Sequence, residues 1–211
     1  MHIISVQVGS ARLLNIESRT ITTGIHKEPI DEVLLEAGGI AGDAVVNTKH
    51  HGGPDQAVYG YSAEDYAWWE EQLERSLEPG TFGENLTVSS APSLIRVGDR
   101  IQVGEALLEV TAPRIPCATF AARMEETGWI RRFRDANKPG FYCRVLQPGT
   151  VRPGDRLQWT VAPETNVSLD EMVEHVYAKS VPLPDVRRAL ASPIAIRSRA
   201  EYEALLGGPT D

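Results

Sequence analysis

Short β-branched and apolar runs, each closed within a few residues by Gly or Pro, constrain this chain most. With 18 Gly and 14 Pro in 211 residues, few elements in the first three quarters can grow long. The runs at 2–8, 43–48, 57–61, 85–88 and 106–111 read as strands. Gly98-Asp99-Arg100-Ile101-Gln102-Val103 is echoed by Gly154-Asp155-Arg156-Leu157-Gln158-Trp159. In both, a Gly-Asp turn feeds a strand that alternates apolar and polar residues. Two equivalent corners of a barrel would give such an echo, although six residues do not make a duplication. The expected fold is mostly β: a closed or partly closed β-barrel with a few helices.

One helix interrupts the strands early. Ser62 can cap it with Asp65 three residues on, Tyr66, Trp69 and Leu73 repeat at helical spacing, and Pro79-Gly80 closes the segment. A second helical stretch is expected between 119 and 136, broken near Gly128. Composition shifts at Ala162-Pro163-Glu164-Thr165, and three short helical patterns follow at 168–177, 184–191 and 198–206. Residues 1–162 are therefore assigned to the barrel. Residues 163–211 are assigned to a small three-helix appendage, too short to bury a core alone.

Hydrophobic residues at 42% and charged residues at 24% suit an ordered chain rather than a disordered one. Net charge is −8 with no block of Lys or Arg, whereas a duplex binder needs a cationic face, so no nucleic-acid partner is expected. Met1-His2-Ile3-Ile4-Ser5 lacks the pattern of a secretory signal, and no apolar run reaches the length of a bilayer span. The expected location is cytoplasmic with no membrane partner. Cys117 and Cys143 are then expected as free thiols.

Three motifs carry chemistry. Lys49-His50-His51-Gly52-Gly53-Pro54-Asp55 is a loop that gathers Lys, His and Asp, with glycines that let backbone N–H groups approach a ligand. A zinc site there lacks the Cys or carboxylate partners of a tetrahedral set; an ordinary tight turn would explain the glycines but not the crowding. Pro79-Gly80-Thr81-Phe82-Gly83-Glu84-Asn85-Leu86 holds an aromatic between two glycines and places Asn85 where a strand begins, although an ordinary turn accounts for it alone. In Pro113-Arg114-Ile115-Pro116-Cys117 a strand hands over to a helix. A cationic neighbour and a helix start both favour a thiolate, and the prolines fix the direction of the sulfur. A buried structural cysteine is the bland alternative. It is accepted for Cys143, which sits in the strand-like run 141–146. A nucleophilic Cys117 with His50 or His51 as its base also stays open.

These segments, together with Thr23-Gly24-Ile25-His26-Lys27-Glu28-Pro29, Gly42-Asp43, Ala57-Val58-Tyr59, Tyr66 with Trp69, Tyr142 with Arg144-Val145-Leu146, and Gly149, resemble the MOSC domain family in order, from about residue 20 to 160. That family is related to the C-terminal part of molybdenum cofactor sulfurases, and the nearer resemblance is to its YiiM-like bacterial branch, in which a three-helix domain often follows. The resemblance implies a MOSC-type β-barrel that binds a molybdenum cofactor (Mo-molybdopterin) with Cys117 as the metal's protein ligand. It further implies a cofactor cradle from Lys49, His51, Gly52, Asp55, Phe82, Asn85 and Arg114. After Pro116-Cys117, many relatives carry an aromatic or basic pair where this chain has Ala118-Thr119-Phe120, a difference expected to alter the pocket mouth.

The function so implied is reduction of N-hydroxylated small molecules (hydroxylamino purines, amidoximes, hydroxylamines) to amines by oxygen-atom removal at molybdenum, a detoxifying activity. His50 or His51 is the expected proton relay, with Glu84 an alternative. No flavin, haem or iron–sulfur motif is legible, so a separate flavin-containing electron donor is expected. A molybdenum cofactor carrier without turnover is the competing reading, and a zinc or thiol hydrolase is a third. The amphipathic tail is compatible with a homodimer.

Overall fold

The computed structural model describes residues 1–17, 19–48 and 52–207. Eight strands form one mixed sheet. In chain order they are β1 (Ile3–Gly9), β4 (Lys27–Ile30), β7 (Val58–Ser62), β8 (Leu86–Val88), β9 (Arg100–Val103), β10 (Ala106–Ala112), β11 (Phe141–Gln147) and β13 (Leu157–Thr160). Across the sheet the order is β13-β9-β10-β11-β7-β8-β1-β4. Every neighbouring pair is antiparallel except β7 and β8, which run parallel across the connection that carries the first helix. Among the described residues two smaller sheets complete the β structure: the hairpin of β2 (Arg12–Ile16) with β3 (Arg19–Thr23), and β5 (Val33–Glu36) between β6 (Gly39–Ile40) and β12 (Gly149–Val151).

The turn pattern predicts a closed or partly closed barrel, and the strand pairings do not define a closed one. β4 pairs with residues 6–9 of β1, so only the start of β1 is left to meet β13. There, a single bridge joins His2 and Arg156, and Ile3 N–H donates to the Asp155 carbonyl at 2.9 Å. The fold is sheet-rich and mixed, with partial contact between the start of β1, next to one edge of the sheet, and β13 at the other edge. The two Gly-Asp echoes do lie side by side: β9 and β13, which they feed, are antiparallel partners.

The first helix, α1 (Ala63–Leu73), starts as expected, with Ser62 Oγ accepting from Asp65 N–H at 3.1 Å. It ends sooner than Pro79-Gly80 suggests, because Glu74 turns left-handed (φ 52°) and its N–H returns to the Glu70 carbonyl. The stretch after Cys117 is two helices, α2 (Ala118–Met124) and α3 (Trp129–Ala136), separated by the left-handed Gly128. The tail gives α4 (Leu169–Tyr177), α5 (Leu183–Ala191) and α6 (Ile196–Leu206), with a full capping box from Ser168 and Glu171 at α4. Their buried Leu169, Met172, Val186, Ala189 and Tyr202 join the same core as Ile3, Leu108 and Val151 of the sheet. The tail thus buries its apolar face on the strands.

The predicted strand at 43–48 is not one. Residues 43–47 are irregular, since polar contacts take the place of a ladder. Asp43 Oδ1 accepts from Gly9 N–H at 2.7 Å, and Ala44 N–H donates to the Gly9 carbonyl at 2.8 Å. The approach is close enough that a Cβ on Gly24 would lie 1.8 Å from the Ala44 carbonyl oxygen, so only glycine fits there. This segment becomes one wall of the site.

Candidate functional site

A cavity of about 100 Å³ opens where the 24–27 segment, the 43–47 segment, β7, the start of β8 and the 114–119 segment meet. Among its walls are Lys27, Asp43, Gly52, Asn85, Arg114 and Cys117. Four residues singled out from sequence therefore converge: Gly52, Asn85, Arg114 and Cys117.

Arg114 is only 6% exposed. Its guanidinium lies between two rings, with Cζ 4.3 Å from the Phe120 centroid and 5.0 Å from that of Tyr59. Gly83, at φ 75°, leaves the space beside it: a Cβ there would come within 3.4 Å of Nη1. Among the described residues no carboxylate or carbonyl pairs with this guanidinium. Burial works against its charge, but Tyr142, Tyr59 and Cys117 outweigh that and leave it more firmly protonated than usual. Each ring contact contributes about 0.5–2 kcal/mol, which makes burial tolerable and leaves the N–H edge available. A desolvated guanidinium with free donors is a site for an oxyanion, phosphate above all.

Lys27 and Asp43 form an ion pair whose side chains are 8% and 6% exposed. Asn85 Nδ2 donates to Asp43 Oδ2 at 3.0 Å and to the Gln7 carbonyl at 3.3 Å, while Asn85 Oδ1 accepts from Tyr59 N–H at 3.2 Å. Asn85 is thus locked at the junction of β1, β7 and β8 and fixes Asp43, which fixes Lys27. Burial lowers the Lys27 pKa and the Asp43 carboxylate opposes that fall. Since Asp43 is spent on Lys27, Arg114 leaves the cavity with a surplus of positive charge among its described walls.

Cys117 is half-buried and stands at the N-cap of α2, where its carbonyl accepts from Ala121 N–H at 2.9 Å. The extended turn at 113–117 holds Arg114 and Cys117 to the same cavity. Cys143 is fully buried in β11, and burial pushes its thiol well above the ordinary value.

Other expected residues lie elsewhere. Phe82 has no exposed surface and stacks on Tyr61 at 4.4 Å; it supports the wall from behind, because the flanking glycines turn it inward. Asp55 is drawn away from the cavity. It pairs with Arg144 at 3.0 Å and accepts from Ile196 N–H at 2.7 Å, anchoring the start of α6. Glu84 is buried: its Oε1 accepts from Tyr66 Oη (2.6 Å), Gly80 N–H (2.6 Å) and Thr87 Oγ1 (2.8 Å). That cluster braces the 79–87 turn and makes Glu84 a poor relay. Lys49, His50 and His51 lie outside the described residues. Among those described, no group of three or more His, Cys, Asp and Glu is placed to hold a metal.

Sequence reasoning gave no role to Lys27, Asp43, Tyr59 or Tyr142. All four stood in motifs that carry the family resemblance, which was a weak signal for any one of them. The tyrosines read as ordinary strand residues, and only folding brings them around Arg114.

A family model described as the MOSC domain matches residues 47–158. The chain belongs to the MOSC domain family. Its relatives include YflK of Bacillus subtilis (strain 168), 36% identical over 169 residues, which are 79% of this chain and 76% of that one. A protein named "Reductase" from Gibberella moniliformis is 30% identical over 171 residues, 77% of this chain but 30% of that longer protein. Among solved structures, YiiM from Geobacillus stearothermophilus superposes with a TM-score of 0.79 at 27% identity, over 97% of this chain and 98% of that one. No helix among the described residues is long and apolar enough to cross a membrane.

Proposed function

We propose that this protein holds a molybdenum cofactor of the molybdopterin type in the cavity of Arg114 and Cys117, and reduces N-hydroxylated compounds to amines. The observation that carries the reading is the meeting of a half-buried thiol with a buried guanidinium, unpaired among the described residues, in one cavity. A thiolate suits a soft metal centre that already brings sulfur ligands of its own, and the guanidinium suits the phosphate of a pterin. The donor set therefore fits such a group. The volume, well below the roughly 300–1,000 Å³ of most small-molecule sites, fits only its anionic, metal-bearing end. The relative named "Reductase" supports an oxidoreductase, and family membership supports the cofactor.

When bound, the cofactor would supply a two-electron metal centre able to accept oxygen from an N–O bond. The chain's own part is to hold and orient. Cys117 Sγ binds the metal, Arg114 binds the phosphate through its planar donors, and Lys27, Asp43 and Asn85 keep the opposite wall fixed. His50 and His51 supply protons near neutral pH, and Lys49 adds positive charge. Electrons come from a separate flavin-containing protein, a cytoplasmic setting and a homodimer complete the proposal, and residues 1–162 act as the MOSC unit with residues 163–211 appended.

Purified protein carrying molybdenum, given an artificial electron donor, is expected to reduce benzamidoxime to benzamidine and a hydroxylamino base to its amine. Full molybdenum occupancy without turnover of several N-hydroxy substrates would instead assign a carrier.

A further inference from the structure

A second and larger cavity, about 460 Å³, lies between the strands and the C-terminal helices. One side is the 112–115 turn with Tyr142, and the other is formed by α4 and α6. Met172, His175 and Val176 stand at i, i+3 and i+4 on α4, one face of that helix. Arg197, Glu201 and Leu205 stand at i, i+4 and i+8 on α6, and Tyr202 lies beside them. Two helical faces thus look onto a space that neither fills.

This cavity adjoins the first. Gln56 and Tyr142 line both, and the turn after β10 is a shared partition. Pro113 and Ile115 line the larger cavity while Arg114 and Cys117 line the smaller. α6 is also tied to the partition. Arg197 donates to Gln56 Oε1 at 3.1 Å and to the Thr48 carbonyl at 3.0 Å, across the two ends of the segment that carries His50 and His51.

The lining selects a type of ligand. Ile115, Met172, Val176 and Leu205 offer apolar surface, and a methionine sulfur favours contact with an aromatic ring. Polar groups stand among them: His175 Nδ1 and Tyr202 Oη are hydrogen-bonded at 2.9 Å, with Glu201 and Arg197 of opposite charge nearby. The volume falls in the usual range for small-molecule sites, and a few polar groups on mainly apolar walls is their usual make-up.

We propose that this second cavity binds the non-reacting body of the substrate, a flat aromatic or heteroaromatic ring, and so sets specificity for ring-bearing substrates. The inference rests on the reading of the first cavity as the reaction centre. It assigns the C-terminal helices a binding role: α4 and α6 cover the ring, and the substituent to be reduced reaches past Gln56 and Tyr142.

Two product-like probes test it, neutral adenine and cationic benzamidine, titrated calorimetrically into the full-length protein. Val176 and Leu205 are 48% and 47% exposed, so tryptophan at either can fill the cavity without entering the core. Both probes, or the one of matching charge, are expected to bind the wild type. Val176→Trp and Leu205→Trp should each weaken that binding about tenfold or more, with molybdenum and pterin content unchanged. Leu205→Trp decides the matter if Val176→Trp fails to fold. Unchanged affinity in the folded variants overturns the inference, as does a molybdenum-loaded wild type that binds neither probe. Loss of pterin and molybdenum from the variants overturns it too, giving the space to the cofactor. A wild type that binds the probes but never takes up molybdenum leaves the ring site standing and sinks the reading of the first cavity.

Discussion

The molecule has two cores of different make. One is mainly aliphatic and runs along the sheet, with Ile3, Val6, Ile101, Leu108 and Val110 among its members. The other is aromatic and lies against α1, α2 and α3, where Tyr61, Trp69, Phe82, Phe120, Trp129 and Phe133 meet. Side chains such as Leu108 ask only for packing. The aromatic core also holds polar tips that must be satisfied, and most are: Tyr59 Oη donates to the Pro139 carbonyl at 2.8 Å, Tyr61 Oη to that of Lys138 at 2.9 Å, and Trp69 Nε1 to Tyr61 Oη at 2.8 Å. The Arg114–Cys117 cavity opens beside this second core, and a physical reason is at hand. Aromatic faces can cover a guanidinium that aliphatic neighbours would leave as a bare buried charge.

If the two cores differ in this way, removing a large side chain from each should separate stability from cofactor retention. Trp69→Ala is expected to cost about 3–5 kcal/mol in urea unfolding and Leu108→Ala about 2–5 kcal/mol. Only the former should also lower molybdenum per folded chain, because Trp69 sits in the cluster behind Arg114. Equal retention in both variants would break the link between the aromatic core and the site.

Arg114→Leu sharpens the contrast from the other side. Cofactor content is expected to fall about 10–100-fold, while the thermal midpoint holds or rises, since a buried charge with no ion-pair partner among the described residues is removed. A large fall in melting temperature with normal molybdenum content would make Arg114 structural. Arg114→Lys should retain less than wild type, because an ammonium offers neither the planar fork nor the stacking.

Smaller effects follow from the polar tips. Tyr66→Phe deletes the 2.6 Å bond to Glu84 and is expected to cost about 1–3 kcal/mol, read by denaturant midpoint. The smallest lies at the aliphatic end. Burial works to raise the Glu171 pKa, but hydrogen bonds from Arg188 and Ser168 prevail and bring it from 4.5 to about 2. A folded-state pKa below the unfolded one stabilises above pH 4.5, and that stability is lost as pH falls from 4.5 towards 2. Glu171→Gln should flatten the pH dependence of the melting temperature within that window and leave it alone above.

How much of this the sequence discloses depends on the range of the interaction. Local signals served well: Ser62 as a cap, the break at Gly128 and the three tail helices are decided within a few residues. That Cys117 and Arg114 line one cavity could be read from the prolines that constrain their backbone, and the place of Asn85 from its position just before β8. Phe82 and Asp55 were misassigned to the cradle for one reason. Their motifs fix the backbone, but whether a side chain turns to the cavity or the core depends on Tyr61 and Arg144, which lie far away in sequence. The same distance hid Lys27 and Asp43, and it hid the competition between β4 and β13 for β1 that leaves the sheet incompletely closed.

The central claim is that Cys117 holds a metal while Cys143, the same residue in the aliphatic core, does not. The direct measurement is molybdenum and pterin per chain in wild type, Cys117→Ala and Cys143→Ala, all produced in cells that make the cofactor. The account predicts about one molybdenum per chain in wild type, a background level in Cys117→Ala, and near-normal content per folded chain in Cys143→Ala. Equal molybdenum in wild type and Cys117→Ala would contradict it.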